Sequence, residues 1–184
     1  MLWIIIGVIV ALLLFTAYAF NRLRRVDIGA QEALGGIDVQ LTRRADLIPN
    51  LVNTVKGYAQ HEKGVFEAVT AARAGVKAAA DNGTVPEKAA AQQQLDKAII
   101  DVLAVAEAYP DLKASAGFLQ LQTELADTED KISFARQYYN DAVAKLNGLV
   151  RTIPWLLFTG IAGVHAREFY NAPEGQQVPP TVQF

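Results

Sequence analysis

His61 and Glu62 close the stretch LTRRADLIPNLVNTVKGYAQHE (41–62), and a histidine followed by a glutamate is how a zinc-hydrolase helix opens. Such a helix needs a second imidazole one turn on, and that place is held by Val65. A di-iron bundle needs a glutamate three residues before each histidine ligand, where this chain has Tyr58 before His61 and Ala162 before His165. Those are the only 2 histidines, and there is no cysteine, so no metal and no cofactor is expected. Nucleophilic chemistry has no better footing: no G-x-S-x-G elbow, phosphate loop or dinucleotide fingerprint occurs. Glu124, Asp127, Glu129 and Asp130 could supply a general acid and base, but at helical spacing they flank an apolar seam, the usual place for solvated charge. The chain is therefore not expected to be an enzyme.

Arg44 is the one charge that falls in the wrong place. On a helical wheel it lies among Ile37, Leu41, Ile48 and Leu51, while Arg43 points away. An unpaired buried guanidinium costs several kcal/mol, so it must snorkel or find an acid. A carboxylate of the last long helix, Glu124 or Glu129, is the expected partner, and setting helix register is the expected role. Binding an anionic ligand is the alternative.

The elements that would hold these residues are all helical. Leu2 to Phe20 carries no charge and spans roughly 28 Å as a helix, enough for a hydrocarbon core of about 30 Å. Trp3 and Tyr18 stand near its ends, as interfacial rings do. Ala17-Tyr18-Ala19 resembles a signal-peptidase site. No basic residue precedes the run, however, and Arg22, Arg24 and Arg25 follow it, so an uncleaved single-pass anchor is expected. The same arginines place the N-terminus outside and the bundle in the cytoplasm by the positive-inside rule.

From Asn21 to about Ala80 the apolar residues recur every three or four positions, through Ile37, Leu41, Ile48, Val52 and Val55 to Val69 and Val76. Pro49 either kinks one long helix or sits in the first turn of a new one capped by Asp46; the unbroken phase favours the kinked helix. Asn82-Gly83 with Thr84 and Pro86 marks a turn, then a helix over about 86–108. A second turn follows at Tyr109–Ser115. Phe118, Leu121, Leu125, Thr128, Ile132, Ala135, Tyr139, Ala142, Leu146 and Leu149 then form a heptad seam suited to antiparallel packing. No strand signal and no tandem repeat is found.

The expected fold is all-α. A transmembrane anchor (1–21) continues into an antiparallel bundle of three to four long helices (22–151), followed by an apolar, irregular tail (152–184). In that tail Trp155, Leu156, Leu157 and Phe158 cannot all face one small core. With Ile161, Phe169 and Tyr170 they are expected to contact a neighbouring subunit, the bilayer surface being the next choice. The net charge of −2 gives no reason to expect nucleic acid as a partner.

IDVQLTRRADLIPNLVNTVKGYAQHE (37–62) resembles the signature of the LemA family of bacterial membrane proteins. Ala72-Arg73, YPDLKAS with Phe118, Leu121 and Gln122, and Thr123 to Val143 resemble its later blocks. The tail residues Pro154, Gly160, Gly163, Arg167, Phe169, Tyr170, Pro180, Val182 and Phe184 resemble its ending. The sequence departs from the family at Ala45 and at ALGG (33–36), a small-residue patch that suggests close helix contact. The resemblance implies an N-terminal transmembrane helix, a bundle of long helices and no established catalytic residues. It associates such proteins with envelope stress, a membrane metalloprotease and, in magnetic bacteria, organelle membranes. The expected function is a membrane-anchored scaffold that self-assembles into a homo-oligomer at the bacterial inner membrane and organises or shapes it. The alternative is an adaptor or regulator of another membrane protein such as a membrane metalloprotease.

Overall fold

A computed structural model describes residues 1–59 and 61–171. In chain order they form α1 (Leu2–Lys56), α2 (Lys63–Asn82), α3 (Val85–Glu107), α4 (Pro110–Lys113) and α5 (Ala116–Val150). A 3₁₀ turn (Trp155–Phe158) and α6 (Thr159–Ala162) follow. The fold is all-α, with no strand among the described residues. The described residues divide into two units, one of 1–35 with 136–169 and one of 36–135 with 170–171.

In the first unit, α1 opens with the apolar run. Only 6% of its most apolar window is buried, so it is no core helix of this chain and is long and apolar enough to cross a membrane. Below the run, Leu23 and Ala30 pack with Leu146, Ala162 and Val164, flanked by Val26, Leu149, Trp155 and Phe158. The chain leaves α5 through a cis Ile153–Pro154 bond and the 3₁₀ turn, then reverses after α6. Gly163 makes that reversal at φ 61°, a left-handed conformation that a side chain would strain. Residues 164–169 then run back as a strap.

The second unit is an antiparallel bundle of the last part of α1, α2, α3 and the first part of α5. Its core holds Ile37, Leu41, Ile48, Leu51, Val69, Leu95, Val102, Phe118 and Ile132, all buried. α1 runs through Pro49 without a break. A proline lacks the N–H that would bond the carbonyl four residues back, here Ala45 in the buried face. Arg73 on α2 replaces that donor: its Nε–H bonds the Ala45 oxygen at 3.0 Å. Arg73 thus sits where the proline's missing donor is made good.

The long helix expected to reach about Ala80 stops instead at Lys56. The amides of Tyr58 and Ala59 both bond the Val55 carbonyl (3.0 and 2.9 Å), closing a turn at Gly57. After Glu62 the chain returns as α2, which pairs Lys77 with Asp46 and Arg73 with Ala45. The periodicity carries through because both arms of the hairpin present the same apolar stripe: Val52 and Val55 on one, Phe66, Val69 and Val76 on the other. A reversal leaves no mark on that pattern.

The α2–α3 turn is tight. A Cβ on Gly83 would stand 2.6 Å from the Ala79 oxygen, which the Gly83 amide bonds at 2.7 Å. The Glu87 carboxylate then accepts from the Thr84 amide (2.7 Å) and hydroxyl (2.8 Å), opening α3. The small-residue patch divides: Ala33 is buried, whereas Gly35 and Gly36 are exposed. Among the described residues nothing lies within 4 Å of a Cβ built on Gly35 or on Gly36, so neither glycine makes a close helix contact there.

Candidate functional site

Arg44 is 7% exposed, and its Nη1 reaches the Asp96 carboxylate of α3 at 2.6 Å and that of Glu129 on α5. One cation therefore ties three helices. Glu124, the other candidate acid, accepts from Gln120 on its own helix (2.9 Å) and takes no part. A second buried cation does the same one layer away. Lys88, 4% exposed, donates to Asp38 on α1 (2.6 Å) and to the Ala80 carbonyl of α2 (2.8 Å). In this arrangement each carboxylate holds a cation that crosses between helices. Asp96, Lys88 and Asp38 escaped the sequence argument, although Lys88 could have been found as Arg44 was. It stands at the start of the stripe Lys88, Gln92, Leu95, Ile99, all buried. Arg73 was signalled only indirectly, by the orphan carbonyl that Pro49 implies.

His61 lies exposed in the α1–α2 turn, and His165 lies exposed in the strap. Among the described residues no group of three or more His, Cys, Asp or Glu side chains converges to hold a metal ion.

The first unit carries the other polar constellation. Asn147 on α5 makes both amide bonds to the backbone of Arg167, accepting from its N–H and donating to its carbonyl, each at 2.9 Å. The Arg167 Nε–H bonds Asp27 of α1 at 2.8 Å, and the Tyr139 hydroxyl donates to the Glu168 carbonyl at 2.8 Å. Burial holds the Tyr139 phenol above its usual range, with Arg167 opposing the shift and Glu168 adding to it. The strap is thus pinned at successive residues to two helices.

Of the seam residues, Leu121, Leu125 and Ile132 are buried in the second unit and Tyr139 and Leu146 in the first. The tail residues divide. Leu156, Leu157, Ile161 and Phe169 are exposed, and Trp155 and Phe158 are half-buried. Tyr170, grouped from sequence with the contact residues, is instead buried within the second unit, where its hydroxyl donates to Gln92 (2.9 Å). Pro180, Val182 and Phe184, and the part of the tail from 172 onward, lie outside the described residues.

An exposed membrane-length helix joined to an all-helical body marks a membrane-associated protein. Residues 33–184 match the LemA family, and the chain belongs to it. It is similar to magnetosome protein MamQ of Magnetospirillum gryphiswaldense, 24% identical over 173 residues that cover 82% of this chain and 64% of the relative. It is also similar to magnetosome protein MamQ 2 of Paramagnetospirillum magneticum, 23% identical over 194 residues covering 93% of this chain and 71% of that one. The chain thus spans a little under two thirds of the length of the first of these relatives.

Proposed function

We propose that this protein is a non-enzymatic, membrane-anchored helical scaffold that self-assembles at the bacterial inner membrane and organises or shapes it. The observation that carries the reading is the apolar start of α1, which the chain's own fold leaves almost wholly exposed. Self-assembly is supported by large apolar side chains left open on the second unit. Ile100 on α3 is 64% exposed and Phe134 on α5 is 72% exposed. The buried cations are placed between helices, where they serve alignment. The likeness to relatives named as magnetosome proteins favours a membrane-associated role. Arg22, Arg24 and Arg25 at the end of the span favour a cytoplasmic bundle.

The test is the size of the full chain extracted with its native lipids. A homo-oligomer is expected, and Ile100→Glu or Phe134→Glu, each at an exposed position, should reduce it. A monodisperse monomer at every concentration would defeat the scaffold and favour an adaptor that presents clients to another membrane protein. Protease protection in inside-out vesicles checks orientation; a protected bundle refutes the cytoplasmic placement.

A further inference from the structure

From Thr152 to Val164 the chain carries no charge, while Arg151 and His165 bracket it. Ala162 and Val164 enter the unit's own core, but three apolar side chains point away from it: Ile153 is 78% exposed, Leu157 70% and Ile161 68%. The segment is nevertheless held at a definite place along α1. The Phe158 ring meets Phe15 edge-on at 5.7 Å between centroids, and Trp155 meets Tyr18 at 5.8 Å. Both partners belong to the apolar run that ends at Phe20. At the helical rise, Phe15 lies about 7.5 Å and Tyr18 about 3 Å inside that end.

We propose that Ile153–Ile161 is a second membrane-contacting element, a shallow wedge inserted in the leaflet that surrounds the Phe15–Phe20 end of α1. It rests on the anchor proposed above, because a ring against Phe15 shares whatever medium surrounds Phe15. The depth of about 7.5 Å falls within the roughly 5–10 Å at which interfacial apolar faces sit. Trp155 and Tyr18 pair at the shallower level, where amphipathic rings are favoured.

The backbone fits that depth as well. Irregular chain survives near hydrocarbon only with its polar groups satisfied. Here the Leu156 amide bonds the Thr152 carbonyl (2.8 Å), Leu157 bonds Pro154 (3.2 Å) and Val164 bonds Thr159 (3.1 Å). Pro154 has no donor, and the Thr159 hydroxyl bonds the Leu156 carbonyl (2.9 Å). A second copy of the chain is the alternative occupant, and the test below separates it from lipid.

The absence of cysteine makes the test direct. Single cysteines are introduced in the full chain as Leu13→Cys, Leu157→Cys, Ile161→Cys and Lys63→Cys. Each is labelled with a polarity-sensitive fluorophore and reconstituted in phosphatidylethanolamine–phosphatidylglycerol vesicles. The probes at 157 and 161 are expected to shift to the blue and to be quenched by brominated acyl chains, as the probe at 13 is. The probe at 63, where the native side chain is 86% exposed, is expected to be quenched by aqueous iodide instead. Iodide quenching at 157 and 161 with lipid quenching at 13 overturns the wedge and leaves the anchor standing. Protection at 157 and 161 from both quenchers also overturns it, in favour of a protein neighbour. Iodide quenching at 13 removes the anchor, and the wedge with it.

Discussion

If Arg73 stands in for the amide that Pro49 lacks, the two residues are energetically coupled, and a double-mutant cycle reads the coupling. The Arg73 Nε–H to Ala45 carbonyl bond (3.0 Å) joins a charged donor to an acceptor in a residue with no exposed surface. A bond of that kind contributes about 1.5–3 kcal/mol, mostly because its loss leaves a buried acceptor unpaired. Arg73 also lies 3.8 Å from Asp46, but both side chains are partly exposed, so that pair adds only about 0.5 kcal/mol. Arg73→Met, which keeps the aliphatic stem, should therefore cost about 2 kcal/mol. In a Pro49→Ala background the residue-49 amide can bond Ala45 itself, and the same change should cost about 0.5–1 kcal/mol. The expected coupling is thus about 1–1.5 kcal/mol, above the roughly 0.3–0.5 kcal/mol scatter of independent sites. Urea unfolding of the full chain at fixed detergent, followed by far-ultraviolet circular dichroism, measures it. A loss of 2 kcal/mol moves the midpoint by about 1 M. Equal losses in both backgrounds would show that the proline and the arginine act independently, and the account of their pairing would be wrong.

Arg44→Ala should destabilise the bundle by about 2–4 kcal/mol in the same assay, less than for a fully buried triad because Asp96 and Glu129 keep some solvent; Glu124→Gln should stay within about 0.5 kcal/mol. Gly83→Ala forces a Cβ against a backbone oxygen at 2.6 Å, so the turn must shift, and a thermal midpoint lowered by several degrees is expected. Tyr139→Phe removes the bond to Glu168 and should cost about 1 kcal/mol near neutral pH. Because the folded phenol titrates above the unfolded one, wild-type stability is full below about pH 10 and falls as pH rises through the folded value, while the phenylalanine variant lacks that loss. Glu87 carries the opposite sign: its bonds to Thr84 hold the carboxyl below the ordinary 4.5. Its contribution is present above that value and lost as pH falls through the folded one. The hydrogen-exchange protection factors of the first turn of α3, corrected for the intrinsic pH dependence of exchange, should fall in acid, and Glu87→Gln should remove that fall.

Much of the fold was legible without coordinates. Helix identity follows from spacing, since a residue's place on the wheel depends only on its neighbours along the chain. The apolar run from Leu2 to Phe20, the Thr84 start of α3 and the charge on the buried face at Arg44 are all local facts. Two kinds of information were not local. The end of α1 at Lys56 was missed because a hairpin folds two apolar stripes together without disturbing their phase; only the burial of Val55 beside Phe66 and Val69 shows why turning back is better than running on. The partners of the buried cations were likewise undetermined, because a wheel says that Arg44 needs an acid but not which of several helices brings one near. The tail makes the same division. Its composition required that Trp155 to Phe158 find an apolar medium, whereas which neighbour they meet is set by a left-handed turn at Gly163 and by Asn147 gripping Arg167. Sequence alone determined which side chains must leave water. The tertiary structure decided what each of them meets, because that depends on where the chain reverses.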